Sequence, residues 1–250
     1  MLDITNEALT KVASQTNLPY STVRYCLECS ISQAVCEFFG VKECEVDLES
    51  RTVMPTFYVG GDMDIEEARL FTKDPVFHDV VPAEFTFEMF RRDIVDRTLE
   101  VFKDILREVE ADELVKKWRK RVRKAVEGVV VERYTDRVEV NLGDDVNAIM
   151  PKREWTPLEM QSYREGKLLL FYVLKVLRRG SAVDVYLSRG APGLPGAILK
   201  NLAPWVKVKT VKRLRGRKTW LKVSPPVKPD VLREVSKHLN GEVVEVVATG

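Results

Sequence analysis

Apolar residues recur at three- and four-residue steps between positions 21 and 39: Val23, Cys26, Leu27, Ile31, Ala34, Val35 and Phe38. That spacing predicts a helix with one buried stripe. Pro19 and Ser21 suit its start and Gly40 its end. Cys44, Val46 and Leu48 then alternate with acidic residues. Glu49-Ser50-Arg51 can turn, and residues 53–59 can return, so a hairpin is expected. Gly60-Gly61 breaks the chain, and Asp64 can cap a short helix over 65–71. Phe87, Phe90, Ile94, Leu99, Phe102, Ile105, Leu106 and Val109 predict mostly helix over 86–126. Its last part, 113–126, carries Lys116, Lys117, Arg119, Lys120, Arg121, Arg123 and Lys124. This part reads as a basic helix leading out of a first domain.

At Glu127 the period changes to two. Val129, Val131, Val138, Val140, Leu142 and Ile149, and later Phe171, Val173, Val176, Val183, Val185 and Leu187, mark short strands. Five fit between 127 and 189. The turns fall at 134–136 and 143–145, in a longer loop over 155–166, and at Arg178-Arg179-Gly180. Five strands with one long connection in about sixty residues fit a small barrel of the oligonucleotide-binding (OB) type. Beyond it, 192–202 can hold a short helix, and 206–214 and 219–223 two strands joined through Arg215-Gly216-Arg217. A helix over 229–239 and a last strand over 242–248 follow. The expected class is α+β, in several domains: an N-terminal α/β part with long helices (1–126), the barrel (127–189), and a C-terminal α/β part (190–250).

Charge sharpens this picture. Residues 1–110 hold 11 Lys+Arg against 22 Asp+Glu, whereas 111–250 hold 29 against 16. An acidic half joined to a basic half implies two kinds of partner, one of them polyanionic. The excess is concentrated beyond the barrel, where 190–250 carry 12 basic and 4 acidic residues. Within 127–189 the signs balance, ten against ten. No stretch reaches the ~20 apolar residues of a membrane span, and MLDITNEALTKVASQ has no secretory pattern. A cytoplasmic chain, away from membranes, is therefore expected. Cys26, Cys29, Cys36 and Cys44 lie close together, but the one CxxC falls in a helical pattern with no second close pair. Buried free thiols are expected there, and neither a metal nor any other cofactor. His78 and His238 are the only histidines and fall in separate domains. No phosphate-binding loop, dinucleotide fingerprint or nucleophile elbow occurs. A non-catalytic protein follows as the expectation.

The ordered pieces VVERYTDRVEVNLG, AIMPKREWTP, YREGKLLLFYVLKV and LSR make 127–189 resemble the S-one domain of NusA transcription factors. The stretch 110–126 resembles that family's linker helix. VKVKTVKRLRGRKTWLKV resembles the first hairpin of its KH domain, and AVCEFFG, EVDLESRTV and DIEEARL resemble its N-terminal domain more faintly. The resemblance implies a bacterial termination and antitermination factor. Its acidic N-terminal domain would dock on RNA polymerase, and its barrel and KH-like domain would hold nascent single-stranded RNA. A monomer is expected. Two departures mark the chain as a truncated or divergent relative. A KH domain grips the backbone through a GxxG loop between two helices, yet Val227-Lys228-Pro229-Asp230 stands at that place, and no second KH domain follows. Gly193-Leu194-Pro195-Gly196 precedes the hairpin and reads as a turn.

OB folds bind single strands with their second and third strands and flanking loops, combining cations with aromatic stacking. The candidates are Arg133, Tyr134 and Arg137 in the first loop, Lys152 and Arg153 after the third strand, and Arg178 and Arg179 in the late loop. Trp155 is either a stacking surface or a lid on the core. On the C-terminal hairpin, Lys207, Lys209, Lys212, Arg213, Arg215, Arg217 and Lys218 are candidate phosphate contacts, with Arg213, Arg215 and Arg217 expected near its tip. Two rival functions stay open. One is a translation or RNA-processing factor that uses the same module without polymerase. The other is a modulator that occupies a polymerase site with little affinity for RNA.

Overall fold

The computed structural model describes residues 5–247. The chain splits into two compact units, Met1–Glu110 and Ala111–Gly250.

The first unit opens with helix α1 (Asn6–Thr16), which the apolar pattern does not announce because it buries only Leu9 and Ala13. Thr5 caps it: its hydroxyl accepts from the Ala8 amide at 3.1 Å. Helix α2 (Tyr20–Phe39) follows the expected stripe, and Gly40 ends it in the left-handed conformation (φ 73°) that glycine adopts without strain. The expected hairpin is β1 (Glu43–Asp47) and β2 (Thr52–Tyr58), paired antiparallel. Helix α3 (Ile65–Ala68) is shorter than its pattern. Asp64 and Glu67 form a reciprocal capping box at its start.

Two short strands, β3 (Val80–Pro82) and β4 (Phe85–Thr86), both pair with β2. The start of the expected 86–126 helix is therefore strand and a 3-10 turn, and helix α4 covers Arg92–Arg119 only. The basic stretch does not stay helical to 126. Residues 120–123 turn, with Arg123 at φ 65°, and the next strand begins at Ala125.

The second unit is built on a closed five-stranded barrel: β5 (Ala125–Arg133), β6 (Arg137–Asn141), β7 (Asn147–Pro151), β8 (Leu168–Arg179) and β9 (Ala182–Ser188). Their order around the barrel is β5-β6-β7-β9-β8, with β7 and β9 parallel and the other pairs antiparallel. Such a barrel is consistent with the OB type. Alternation puts Val130, Val138, Val140, Met150, Phe171, Val173, Val185 and Leu187 inside. Ala111, Val115 and Trp118, from the end of α4, join the same core. Gly128 is required by close approach: a Cβ there would lie 2.5 Å from Cγ1 of Val140.

After the barrel come α5 (Leu194–Leu202), β10 (Lys207–Leu214), β11 (Lys218–Ser224), α6 (Pro229–His238) and β12 (Val243–Val246). The three strands form one sheet in the order β10-β11-β12. One sheet face packs on α5 and α6 through Val206, Leu221, Val223, Val235 and Leu239. Gly193 to Gly196 is the first turn of α5, not a free turn. Pro195 suits that place because its missing N–H would have no helical partner. Of the last expected strand, 242–248, Glu242 precedes β12 and Ala248 lies outside the described residues.

Two buried arginines tie this second layer to the barrel. Arg189, just past β9, is fully buried and holds Glu159 with two bonds, Nε to Oε2 at 2.6 Å and Nη2 to Oε1 at 2.7 Å. The same guanidinium donates to the Leu170 carbonyl at 2.6 Å and the His238 carbonyl at 2.9 Å, so barrel and α6 share one cation. Arg213 of β10 is likewise sealed off, its side chain 1% exposed against 0% for Glu242. It donates to Glu242 at 2.8 Å and to the carbonyls of Arg189 (2.9 Å) and Ala191 (2.6 Å). Charges out of water persist only when paired and hydrogen-bonded to this degree.

Candidate nucleic-acid interface

The β5–β6 turn and the start of the loop after β7 meet at one end of the barrel. The Lys152 amide donates to the Asp136 carbonyl at 2.8 Å, which fixes the two segments against each other. A shallow hollow of about 660 Å³ opens there, lined by Arg133, Tyr134, Arg137, Lys152, Trp155 and Met160 among others. The structure thus brings four of the candidate residues together. The Arg137 guanidinium stacks over the Tyr134 ring at 4.3 Å, and its Nε donates to Glu139 at 3.0 Å. The Tyr134 hydroxyl donates to Glu132 at 2.7 Å, and that bond raises its pKa. Arg133 donates to the Met160 carbonyl at 2.7 Å. These bonds order the rim: Arg137 is ion-paired with Asp136 and Glu139, while Arg133 and Lys152 are exposed. A neighbouring cleft shares Arg133 and adds Arg164, which the sequence reading passed over.

Trp155 is a lid. It is 7% exposed, donates from Nε1 to the Met150 carbonyl at 3.1 Å, and packs against Tyr163. Arg153 is exposed beside the hollow, and its carbonyl accepts from Arg215 at 3.1 Å. Arg178 and Arg179 lie elsewhere, in strand β8 rather than in a loop. The strand register puts them at the end of β8 that pairs with the start of β9, far along the ladder from the β5–β6 turn. Arg178 is paired with Asp112 at 2.5 Å and Arg179 with Asp184 at 2.8 Å. Neither joins the hollow.

On the C-terminal hairpin, Lys207, Lys209, Lys212 and Lys218 sit on the sheet face turned away from α5 and α6. Arg215 and Arg217 are exposed at the tip. Arg213 is not there: it is the buried partner of Glu242. The reason is a β-bulge between Thr210 and Lys212, which reverses the alternation so that Arg213 turns inward. Burial by itself would raise the pKa of Glu242. The hydrogen bond and charge of Arg213, with bonds from Thr219 and the Gly216 amide, outweigh it and hold the carboxyl below its usual range.

Elsewhere, burial pushes the Cys44 thiol up to about 12 and raises Cys26 and Cys36 as well. Among the described residues no group of three or more His, Cys, Asp or Glu is placed to hold a metal ion. No described helix is long and apolar enough to cross a membrane.

No protein-family profile matches the chain. It is similar to the transcription termination/antitermination protein NusA of Bacillus subtilis, 25% identical over 203 residues that cover 74% of this chain and 54% of that protein. It is also similar to NusA of Borreliella burgdorferi, 21% identical across 99% of this chain and 56% of that protein. NusA of Halalkalibacterium halodurans is 25% identical across 74% of this chain and 52% of its own length. The chain is a distant relative of NusA. It spans about half the length of the curated NusA proteins it matches.

Proposed function

We propose that this chain is a non-catalytic, NusA-like transcription factor that binds RNA polymerase and holds nascent single-stranded RNA. The observation that carries the reading is the barrel-end hollow, where Arg133, Tyr134, Arg137 and Lys152 converge from two segments of a five-stranded barrel. Cations beside an aromatic ring at the end of an OB-type barrel are suited to unpaired strands. The relatives' printed role in transcription termination and antitermination supports the polymerase part. So does the acidic first unit, which differs in sign from the basic second one.

On this reading the expected 1–126 part is cut back to the first unit, 1–110, which docks on polymerase; 111–189, with the end of α4 and β5 from Ala125, carry the S-one barrel, and 190–250 are a degenerate KH domain, working in the cytoplasm as a monomer. Only one helix, α6, lies between β11 and β12, so the two-helix frame of a GxxG loop is missing as well as its glycines. RNA affinity is therefore assigned to the barrel end and the hairpin.

The test uses stalled elongation complexes with a long nascent transcript, immobilised through the template. The whole chain is expected to be retained, and to be partly released when the transcript is trimmed by ribonuclease. An Arg133→Ala/Arg137→Ala/Lys152→Ala variant is expected to lose a large share of the ribonuclease-sensitive part, the share held by the barrel end, and none of the rest. Failure of the wild type to be retained on any such complex refutes the polymerase role. RNA binding without retention assigns the chain to RNA handling away from polymerase.

A further inference from the structure

A cleft of about 860 Å³ lies beside the barrel-end hollow and shares Arg133 with it. One wall is β5. A bulge between Val130 and Glu132 leaves Val131 out of the ladder, and its side chain, 47% exposed, lines the cleft as an apolar surface. The other wall is the connection from β7 to β8, which supplies Met160, Gln161, Arg164 and Glu165.

Both walls are fixed. The Lys167 amide donates to the Arg164 carbonyl at 3.2 Å and closes a four-residue turn, with Gly166 at φ 75° where such a turn requires a positive φ. The Gly166 amide donates to the Val130 carbonyl at 2.9 Å, and the Val130 amide to the Lys167 carbonyl at 3.0 Å, so the turn is clamped to β5. Arg133 holds the Met160 carbonyl, and the buried Arg189–Glu159 pair with Tyr163 anchors the same segment from inside.

The chemistry of the cleft is unspent. Among the described residues, the exposed side chains of Gln161, Arg164 and Glu165 form no hydrogen bond or ion pair with the protein. Arg164 and Glu165 are adjacent and opposite in charge, yet they do not pair. Elsewhere on this barrel adjacent opposite charges do, Arg137 with Asp136 and Arg153 with Glu154. A rigid cleft with an apolar wall and a few convergent, unpaired polar groups is the usual form of a small-ligand site.

We infer that this cleft is a guanine-selective pocket for one unpaired base of the RNA strand. The Arg164 guanidinium donates to O6 and N7 of the base, and the Glu165 carboxylate accepts from N1–H and the 2-amino group. The proposal rests on the RNA reading above and adds which base is read. Adenine presents an amino donor to the guanidinium where guanine presents O6, and it has no N1–H. Pyrimidines lack the paired O6 and N7 acceptors. In a duplex the edge read by Glu165 is occupied by the complementary base, so the pocket takes single strands. Arg133 lines both openings, so a strand lying in the hollow reaches the cleft past a cation suited to its phosphate.

The experiment measures anisotropy of the full chain with labelled uridine strands of about ten nucleotides, within the ~4–16 that one OB fold covers. The central position carries guanosine, adenosine, inosine (no 2-amino group) or 7-deazaguanosine (no N7 acceptor). Wild type is expected to prefer the guanosine strand over the adenosine strand by about 10-fold, as one bidentate base contact supplies. Arg164→Ala and Glu165→Ala should each bring that ratio close to one, whatever they do to overall affinity. The penalty for 7-deazaguanosine should vanish in Arg164→Ala but persist in Glu165→Ala, and the penalty for inosine should do the reverse. Loss of a merely structural side chain would not sort the two analogues in this way. Equal binding of the guanosine and adenosine strands by wild type overturns the pocket and leaves the RNA reading intact. A guanosine preference that survives both substitutions overturns the assignment to Arg164 and Glu165. If wild type binds none of the strands, the RNA reading fails and the pocket with it.

Discussion

Replacing Arg213 with alanine tests whether the second unit is held by its buried ion pairs. The change leaves the Glu242 carboxylate at 0% exposure without its cation. The carbonyls of Arg189 and Ala191 lose a donor at the same time. Breaking a buried pair from one side costs about 3–5 kcal/mol, a fifth or more of the ~5–15 kcal/mol that holds a typical domain. All four tryptophans (118, 155, 205 and 220) lie in Ala111–Gly250, so their emission reports this unit selectively. At roughly 2 kcal/mol per molar urea, the unfolding midpoint should fall by about 2 M with little change in slope. Arg213→Met combined with Glu242→Leu should recover most of the loss, because the buried charge goes with its partner. The salt slope of RNA binding, measured where the variant is folded, should equal that of wild type. A loss below about 1 kcal/mol, or a flattened salt slope, would refute the buried structural role and return Arg213 to the surface.

Other consequences follow from the same contacts. Because the folded-state pKa of Glu242 is depressed, its stabilisation is present above the ordinary carboxylate range and is lost as pH falls through the folded value. Tryptophan-detected stability should therefore drop on acidification, and Glu242→Gln should flatten that drop while lowering stability at neutral pH. Gly128→Ala puts a methyl against Val140 and Leu142, so a loss of about 1–3 kcal/mol from overpacking is expected in urea melts of the barrel. Asp64→Ala removes the capping box of α3 at a cost of about 1 kcal/mol, seen as faster amide exchange at Ile65–Ala68.

The barrel was legible because its period of two and its turn residues agree over sixty residues, and alternation alone selects the inward side chains. Helix α1 was not, since two buried residues make no stripe. Strands β3 and β4 are too short for any pattern, and their pairing with β2 is a tertiary decision. The basic run after 113 reads as helix by composition. It stops at Arg119 because the chain must turn once Trp118 has entered the barrel core and then pair as β5. The candidate site divides on similar grounds. Arg133 and Arg137 at facing strand ends, Tyr134 in the turn between them and Lys152 after β7 line one hollow, because they flank segments that the strand pairing brings together. Arg213 was misplaced because one extra residue at 211 inverts the face of everything after it, and no feature of the local sequence marks a bulge. Nothing in the local sequence marks Arg189 as buried. Its role depends on Glu159, thirty positions earlier, and on the far end of α6.

The central claim, that this chain holds single-stranded RNA, is tested most directly by the affinity of the intact protein for a labelled 20-nucleotide strand between 50 and 200 mM salt, about the range over which phosphate contacts are weighed. The account predicts binding that weakens steeply and linearly on a log–log plot, with a preference over duplex of the same length. No binding at 50 mM salt, or binding indifferent to salt at about that range, would contradict it.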